Sequence, residues 1–178
     1  MSIYKSYEMA RPFANRRRAI LLVAALTTIT GWSVSLWAGT NDPIPYPAGY
    51  RKWAHVKSAL IGPQSPSFES FGGLHHIYAN EKAMEGYRTR RFPDGSVIVF
   101  DLLETRESEG VMTEGARLRI GVMLKDSKRY AETGGWGYEG FRGDSQTDRR
   151  LNPESRMVCY NCHAQRKDYD FVFSEFRK

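Results

Sequence analysis

Residues 96–103 read Ser-Val-Ile-Val-Phe-Asp-Leu-Leu, an apolar run broken inside only by Asp101. Phe92-Pro93-Asp94-Gly95 just before it is a turn signal. A run that does not alternate between apolar and polar is what a strand covered on both faces requires. This stretch therefore predicts a central strand that other elements must cover. Upstream, residues 72–79 (GGLHHIYA) read as a second strand that starts after paired glycines and ends at Asn80. Residues 81–89 suit a short helix or turn. Residues 49–60 (GYRKWAHVKSAL) place Trp53, Val56 and Leu60 at helical spacing, so a helix is expected there. Downstream, residues 104–115 are polar and contain Gly110, which predicts a hairpin loop. Residues 117–125 (RLRIGVMLK) alternate as a strand. Residues 126–132 suggest a short helix stopped at Gly134-Gly135, and 136–141 (WGYEGF) are again strand-like. Residues 169–176 (YDFVFSEF) read as a final helix or strand. The pattern is α+β: a small antiparallel β-sheet with flanking helices.

After the expected sheet comes Cys159-Tyr160-Asn161-Cys162-His163, a C-x-x-C-H pentad. Two residues between thiols match the two vinyl groups of a porphyrin, and an adjacent histidine can take the proximal position on iron. A disulfide-exchange pair would more usually open a helix behind a buried strand. A zinc site would need further ligands, yet these are the only two cysteines in the chain and the other three histidines lie far upstream. The pentad therefore predicts one covalent haem c on Cys159 and Cys162, with His163 as the iron ligand.

Residues 1–18 are polar and basic and end in Arg16-Arg17-Arg18. An uncharged run over 19–38 follows, about 30 Å long as a helix at ~1.5 Å per residue, enough to cross a bilayer. Positive charge before it predicts a cytoplasmic N-terminus and an exported remainder. Export is what bacterial haem c attachment requires, so the two signals agree. Leu36 suits a cleavage site poorly, which favours a retained transmembrane helix over a signal peptide. The expectation is a single-pass protein of the inner membrane with its haem domain on the periplasmic side. The leader carries five basic residues and one acidic, so +4 of the formal +6 charge lies there. The basic balance thus reports topology, and nucleic-acid binding is excluded. Residues 39–48, with Pro43, Pro45 and Pro47, read as an extended linker. Residues 49–178 are then one domain.

YRKW, GGLHHIYAN, RFPDGSVIVFDLLE, VMLKDSKRYAETGGWGYEGF and the terminal CYNCH, in that order, resemble the cytochrome P-460 family. The resemblance implies a β-rich fold with one haem c, usually dimeric. It also implies either hydroxylamine oxidation or nitric oxide binding, as in the related cytochrome c′-beta group. Enzymatic members tie a lysine covalently to the porphyrin edge. That lysine is expected on the strand before FPDG, where this chain has Leu74-His75-His76-Ile77-Tyr78 and no lysine. The cross-link, and hydroxylamine oxidation with it, are not expected. The family's distal carboxylate would fall at Asp101 and its distal arginine at Arg51.

His75 and His76 are adjacent on an expected strand, so they point to opposite faces. One could face the haem as a sixth ligand or as an acid–base group over an open iron. The plain alternative is a partly buried histidine bonded to a backbone carbonyl. Asp101 interrupts an apolar run, and a buried carboxylate needs a partner. Its plain reading is a strand carboxylate paired with an arginine. None of Met84, Met112, Met123 and Met157 sits in a recognisable ligand loop, and Trp136, Tyr138 and Phe141 read as core or haem-wall aromatics. Two function classes follow. In one, His163 and a strand histidine (His76 or His75) bind iron and the protein carries electrons between a membrane complex and a soluble redox partner. In the other, Asp101, Arg51 and His76 manage protons at an open iron that acts on nitric oxide, hydroxylamine or peroxide. A homodimer, or a subunit of a larger complex, is compatible with either.

Overall fold

The computed structural model describes residues 43–177. The expected basic segment and transmembrane helix (1–38) lie outside the described residues. Among the described residues no helix is long and apolar enough to cross a membrane.

Five antiparallel strands form one sheet in chain order: β1 (Ala54–Ile61), β2 (Gly73–Ala79), β3 (Val97–Ser108), β4 (Val111–Lys125) and β5 (Trp136–Arg142). Three α-helices accompany it: α1 (Phe68–Phe71), α2 (Glu81–Thr89) and α3 (Pro153–His163). The α+β class and the central strand are as expected. β3 holds residues 97–103 at the sheet's centre, and Val99 and Asp101 are fully buried.

Alternation along β3 sorts the interior into two layers. Ile98 faces a cluster with Val56, Ile77, Met123, Trp136 and Tyr138, against which Phe100, Cys159 and Tyr160 also pack. Val99 faces the opposite cluster, with Ile44, Tyr50, Ile120, Val122 and Phe141. We call these the α3 face and the Tyr50 face. Ile44 is buried and its carbonyl accepts from Arg149 at 2.7 Å, so part of the proline-rich stretch packs into the domain.

Several local expectations are corrected. Residues 49–60 are not a helix but a 3-10 turn (Tyr50–Lys52) followed by β1. A bulge at Val56 breaks the pairing between His55 and Lys57, so the apolar spacing imitates a helix. Residues 104–115 are not a loop: both strands continue through them to a turn at Glu109-Gly110. The expected helix over 126–132 is reduced to turns and a 3-10 segment, Ala131–Thr133. Residues 169–176 form neither helix nor strand beyond the 3-10 end of Ala164–Tyr169, because Asp170 and Phe171 both take positive φ, 49° and 66°.

Gly73 opens β2 at φ 121°, where a Cβ would run into the Leu103 carbonyl. Gly73→Ala should lower unfolding stability by roughly 1–3 kcal/mol, read from urea denaturation of the haem-loaded protein.

Candidate functional site

α3 starts at Asn152, whose side chain accepts the Ser155 N–H at 2.8 Å, with Pro153 in the first turn. Buried Glu139 of β5 accepts from Arg156 of α3 at 2.9 Å and from Arg149 at 3.0 Å, which fastens the helix to the sheet edge. No residue of α3 is buried, although the helix carries Met157, Val158 and both cysteines. Val158 is 68% exposed, and Cys159 and Cys162 are free. The thiols are three residues apart on a helix and so share one side of it.

His163 ends α3 with its ring against Tyr138 and Phe173, at centroid distances of 5.3 and 5.1 Å. Its Nδ1 lies 2.7 Å from the Phe171 carbonyl. A carbonyl only accepts, so Nδ1 carries the proton and Nε2 keeps its lone pair. Burial holds the imidazole's pKa below its ordinary value, against the opposing pull of that hydrogen bond. A neutral ring with a fixed tautomer is what metal ligation needs.

The carbonyl that fixes His163 is itself anchored by Asp170. One carboxylate oxygen of Asp170 accepts the Phe92 N–H at 2.8 Å and the other accepts Lys125 Nζ at 2.7 Å. Its backbone carbonyl accepts Trp136 Nε1 at 2.8 Å. These bonds hold two consecutive residues in a left-handed conformation that side chains disfavour. Sequence reasoning missed Asp170, because its partners are 78 and 45 residues away.

On the α3 face of the sheet, His75 stacks on Phe100 with centroids 4.6 Å apart, and Phe71 meets Phe100 edge-on at 5.8 Å. His75 Nδ1 and Tyr138 Oη are buried without any hydrogen-bond partner. Burial pushes the His75 pKa down, helped by His76 and Lys57, and pushes that of Tyr138 up. Arg119 lies over the Phe71 ring at 4.6 Å and donates to the Ser70 carbonyl.

The Tyr50 face holds the other expected residues. Asp101 accepts from Tyr50 Oη at 2.7 Å and from Arg117 Nε at 2.6 Å, with Arg51 Nε at 3.8 Å. Arg117 reaches this face because Leu118 is an extra residue between the pairs Leu102–Arg119 and Leu103–Arg117. His76 Nε2 lies 2.7 Å from Glu114, which Arg51 meets at 3.3 Å. His76 Nδ1 meets Ser58 Oγ at 2.6 Å, and Ser58 meets His55 Nε2 at 2.8 Å. Arg51, His76 and Asp101 are thus brought together, but on the side of the sheet away from Cys159 and His163. Alternation at Phe100/Asp101 and His75/His76 sends them to the layer opposite the one that Phe100 and Cys159 pack against. Asp101 has the arginine partners of its plain reading, and His75 is the histidine on the α3 face. Tyr138 lines that face, whereas Phe141 packs in the Tyr50 layer.

A helix-borne pair of free thiols beside a histidine with an open Nε2, facing a wall of aromatics, defines a c-type haem protein. The chain belongs to the cytochrome P460 family, whose model matches residues 47–174. Among curated proteins nothing matches. The residues present fit a haem. His163 offers a nitrogen lone pair, α3 has an uncovered apolar side, and two buried polar groups on the facing layer lack partners. Among the described residues no cluster of three or more histidine, cysteine or carboxylate groups offers a competing metal site.

Asp170→Ala would leave the Lys125 ammonium buried without its counter-charge. We expect a loss of about 3–5 kcal/mol in urea unfolding. Asp170→Leu with Lys125→Met, which removes both charges, should lose clearly less.

Proposed function

We propose that this chain is a membrane-tethered monohaem cytochrome that passes electrons on the outer side of the membrane. One haem c would be held through thioethers at Cys159 and Cys162, with His163 and His75 as the residues that would bind its iron. The observation that carries this reading is the buried, unpartnered nitrogen of His75 on the layer facing α3. Leaving such a group unsatisfied costs about 1–3 kcal/mol, so its retention supports a role with a ligand that fills the space. Lowered basicity keeps the ring neutral, the form that binds a metal. Stacking on Phe100 restrains its plane. A bound haem supplies a one-electron iron centre. The chain's part is to fix His163 through Phe171, exclude water with Phe71, Phe100 and Tyr138, and offer Arg119 as a cation on the same face. No carboxylate lies within salt-bridge distance of Arg119 among the described residues, which suits it to an anionic edge of the cofactor. The uncharged run over 19–38 supports the tether and the periplasmic site.

A second reading is favoured by one observation, the unpartnered Tyr138 hydroxyl on the same face. In that reading the iron keeps an open position for a small nitrogen or oxygen species. His75 and Tyr138 would hold the protons there, since Asp101, Arg51 and His76 are on the other layer.

The optical spectrum of the haem-loaded protein separates the two. The electron-carrier reading predicts a low-spin spectrum that carbon monoxide does not change in the reduced state. His75→Ala should then turn it high-spin and carbon monoxide-binding. A wild type that is already high-spin and binds carbon monoxide would overturn the first reading in favour of the second.

A further inference from the structure

The edge strand β1 carries a hydroxyl set between two imidazoles, on the layer that the haem chemistry does not use. The extra residue Val56 lets His55 pair with Tyr78 and Ser58 with His76. Residues three apart in a regular strand point to opposite faces, but across this bulge both meet side chains of the Tyr50 face. Ser58 Oγ consequently lies 2.8 Å from His55 Nε2 and 2.6 Å from His76 Nδ1. The next group comes from β4. β3 and β4 project beyond their last pairings with β2 and β5, Leu74–Leu103 and Arg119–Arg142, as a two-stranded ribbon. Glu114 on this ribbon reaches back over the sheet. One of its carboxylate oxygens is 2.7 Å from His76 Nε2 and the other is 3.3 Å from Arg51.

These contacts fix the direction of each proton. A carboxylate only accepts, so His76 Nε2 carries the proton and donates to Glu114. Nδ1 then keeps its lone pair and accepts from the Ser58 hydroxyl. The Ser58 oxygen accepts in turn from His55, whose Nε2–H sits where negative charge would develop on attack. A hydroxyl donating to an imidazole whose other nitrogen is oriented by a carboxylate is the arrangement that activates a nucleophile. Access matches those roles. Ser58 is exposed, whereas the His76 side chain is only 13% exposed. The nucleophile is open to solution and its base is sheltered. Because β1 is an edge strand, the backbone N–H groups on its outer side are free to receive an oxyanion. Tyr78 lies edge-on to His55 at 5.7 Å and gives the site an aromatic wall.

We propose that Ser58, His76 and Glu114 form a second reactive site, on the face of the sheet opposite Cys159, that cleaves small carboxylic esters with good leaving groups. Ser58 Oγ adds to the carbonyl carbon and its proton passes to His76 Nδ1. The bond to the leaving oxygen breaks, and that oxygen takes the proton from Nδ1. Water, deprotonated by the same nitrogen, then releases the acid and restores Ser58. Ser58 and His76 are catalytic residues in this step, and Glu114 is a positioning residue acting through His76.

The test is labelling of the full haem-loaded chain with a fluorophosphonate, located by peptide mass spectrometry. Ser58 Oγ bonds to phosphorus, fluoride leaves and the proton goes to His76. Label is expected on Ser58, and it should block release of p-nitrophenolate from p-nitrophenyl acetate. His76→Gln should slow the labelling at least about a hundredfold. Glu114→Leu should slow it about tenfold, and Glu114→Gln, which can still accept from Nε2, should recover part of the rate. An unchanged haem spectrum in each variant shows that the domain is folded. Ser58 left unlabelled, labelling at the same rate in His76→Gln, or ester hydrolysis undiminished in Ser58→Ala would each overturn the proposal. So would a Glu114→Leu chain with a lower melting temperature and the wild-type labelling rate, which would leave Glu114 a fastening for the ribbon alone.

Discussion

The two-residue alternation of β3, held in register by β2 and β4, governs where every chemical group of this domain ends up. Phe100 and Asp101 are one peptide apart and belong to different layers. The same rule in β2 parts His75 from His76, whose register partners are Leu102 and Asp101. A slip of one residue would exchange the contents of both layers. It would bury the Phe100 ring against Tyr50 and turn the Asp101 carboxylate towards α3. The apolar residues on both sides of the sheet make that exchange costly, and they are why a mixed polar interior can be held in one arrangement.

The two layers have different electrostatic character. The Tyr50 face is a closed ionic system: one buried carboxylate with a phenol and two guanidinium groups, and a histidine bonded on both nitrogens. Such a network is stable when every member is satisfied. The α3 face is the reverse, with aromatic walls, an open imidazole nitrogen on His163 and two polar groups that nothing in the chain satisfies. The first arrangement holds a fold together, and the second leaves space for a cofactor. Between them, Asp170 ties the β4 lysine, the β5 tryptophan and the turn before β3 to the segment that orients His163.

Much of this was legible in the sequence. Residues 96–103 declare a doubly covered strand, the adjacent pair His75-His76 declares one histidine for each face, and the pentad declares its own chemistry. Residues 81–89 were legible as a short helix or turn, and the structure resolves the choice in favour of α2, whose start is capped by the Asn80 side chain accepting the Ala83 N–H. What was not legible depends on irregularity or on distance. The Val56 bulge gives β1 a helical spacing of apolar residues. The projecting ribbon has solvent on both faces, so it lacks the alternation by which strands are recognised. That Asp101 would pair with an arginine was legible, but which arginine was not, because an extra residue, Leu118, is what swings Arg117 to its side. The Asp170 turn has no local signature, since its stabilising partners come from three other elements.

The central claim is that the sheet keeps the haem chemistry apart from the Asp101 network, and Asp101→Asn tests it most directly. The variant has nearly the same shape but removes the counter-charge of Arg117 and Arg51. The ferric and reduced optical spectra and the thermal unfolding of the haem-loaded protein would be recorded together. The account predicts a clearly lower melting temperature with an unchanged spin state and unchanged response to carbon monoxide. An altered spin state or a new carbon monoxide response, with the melting temperature unmoved, would place Asp101 at the iron and contradict it.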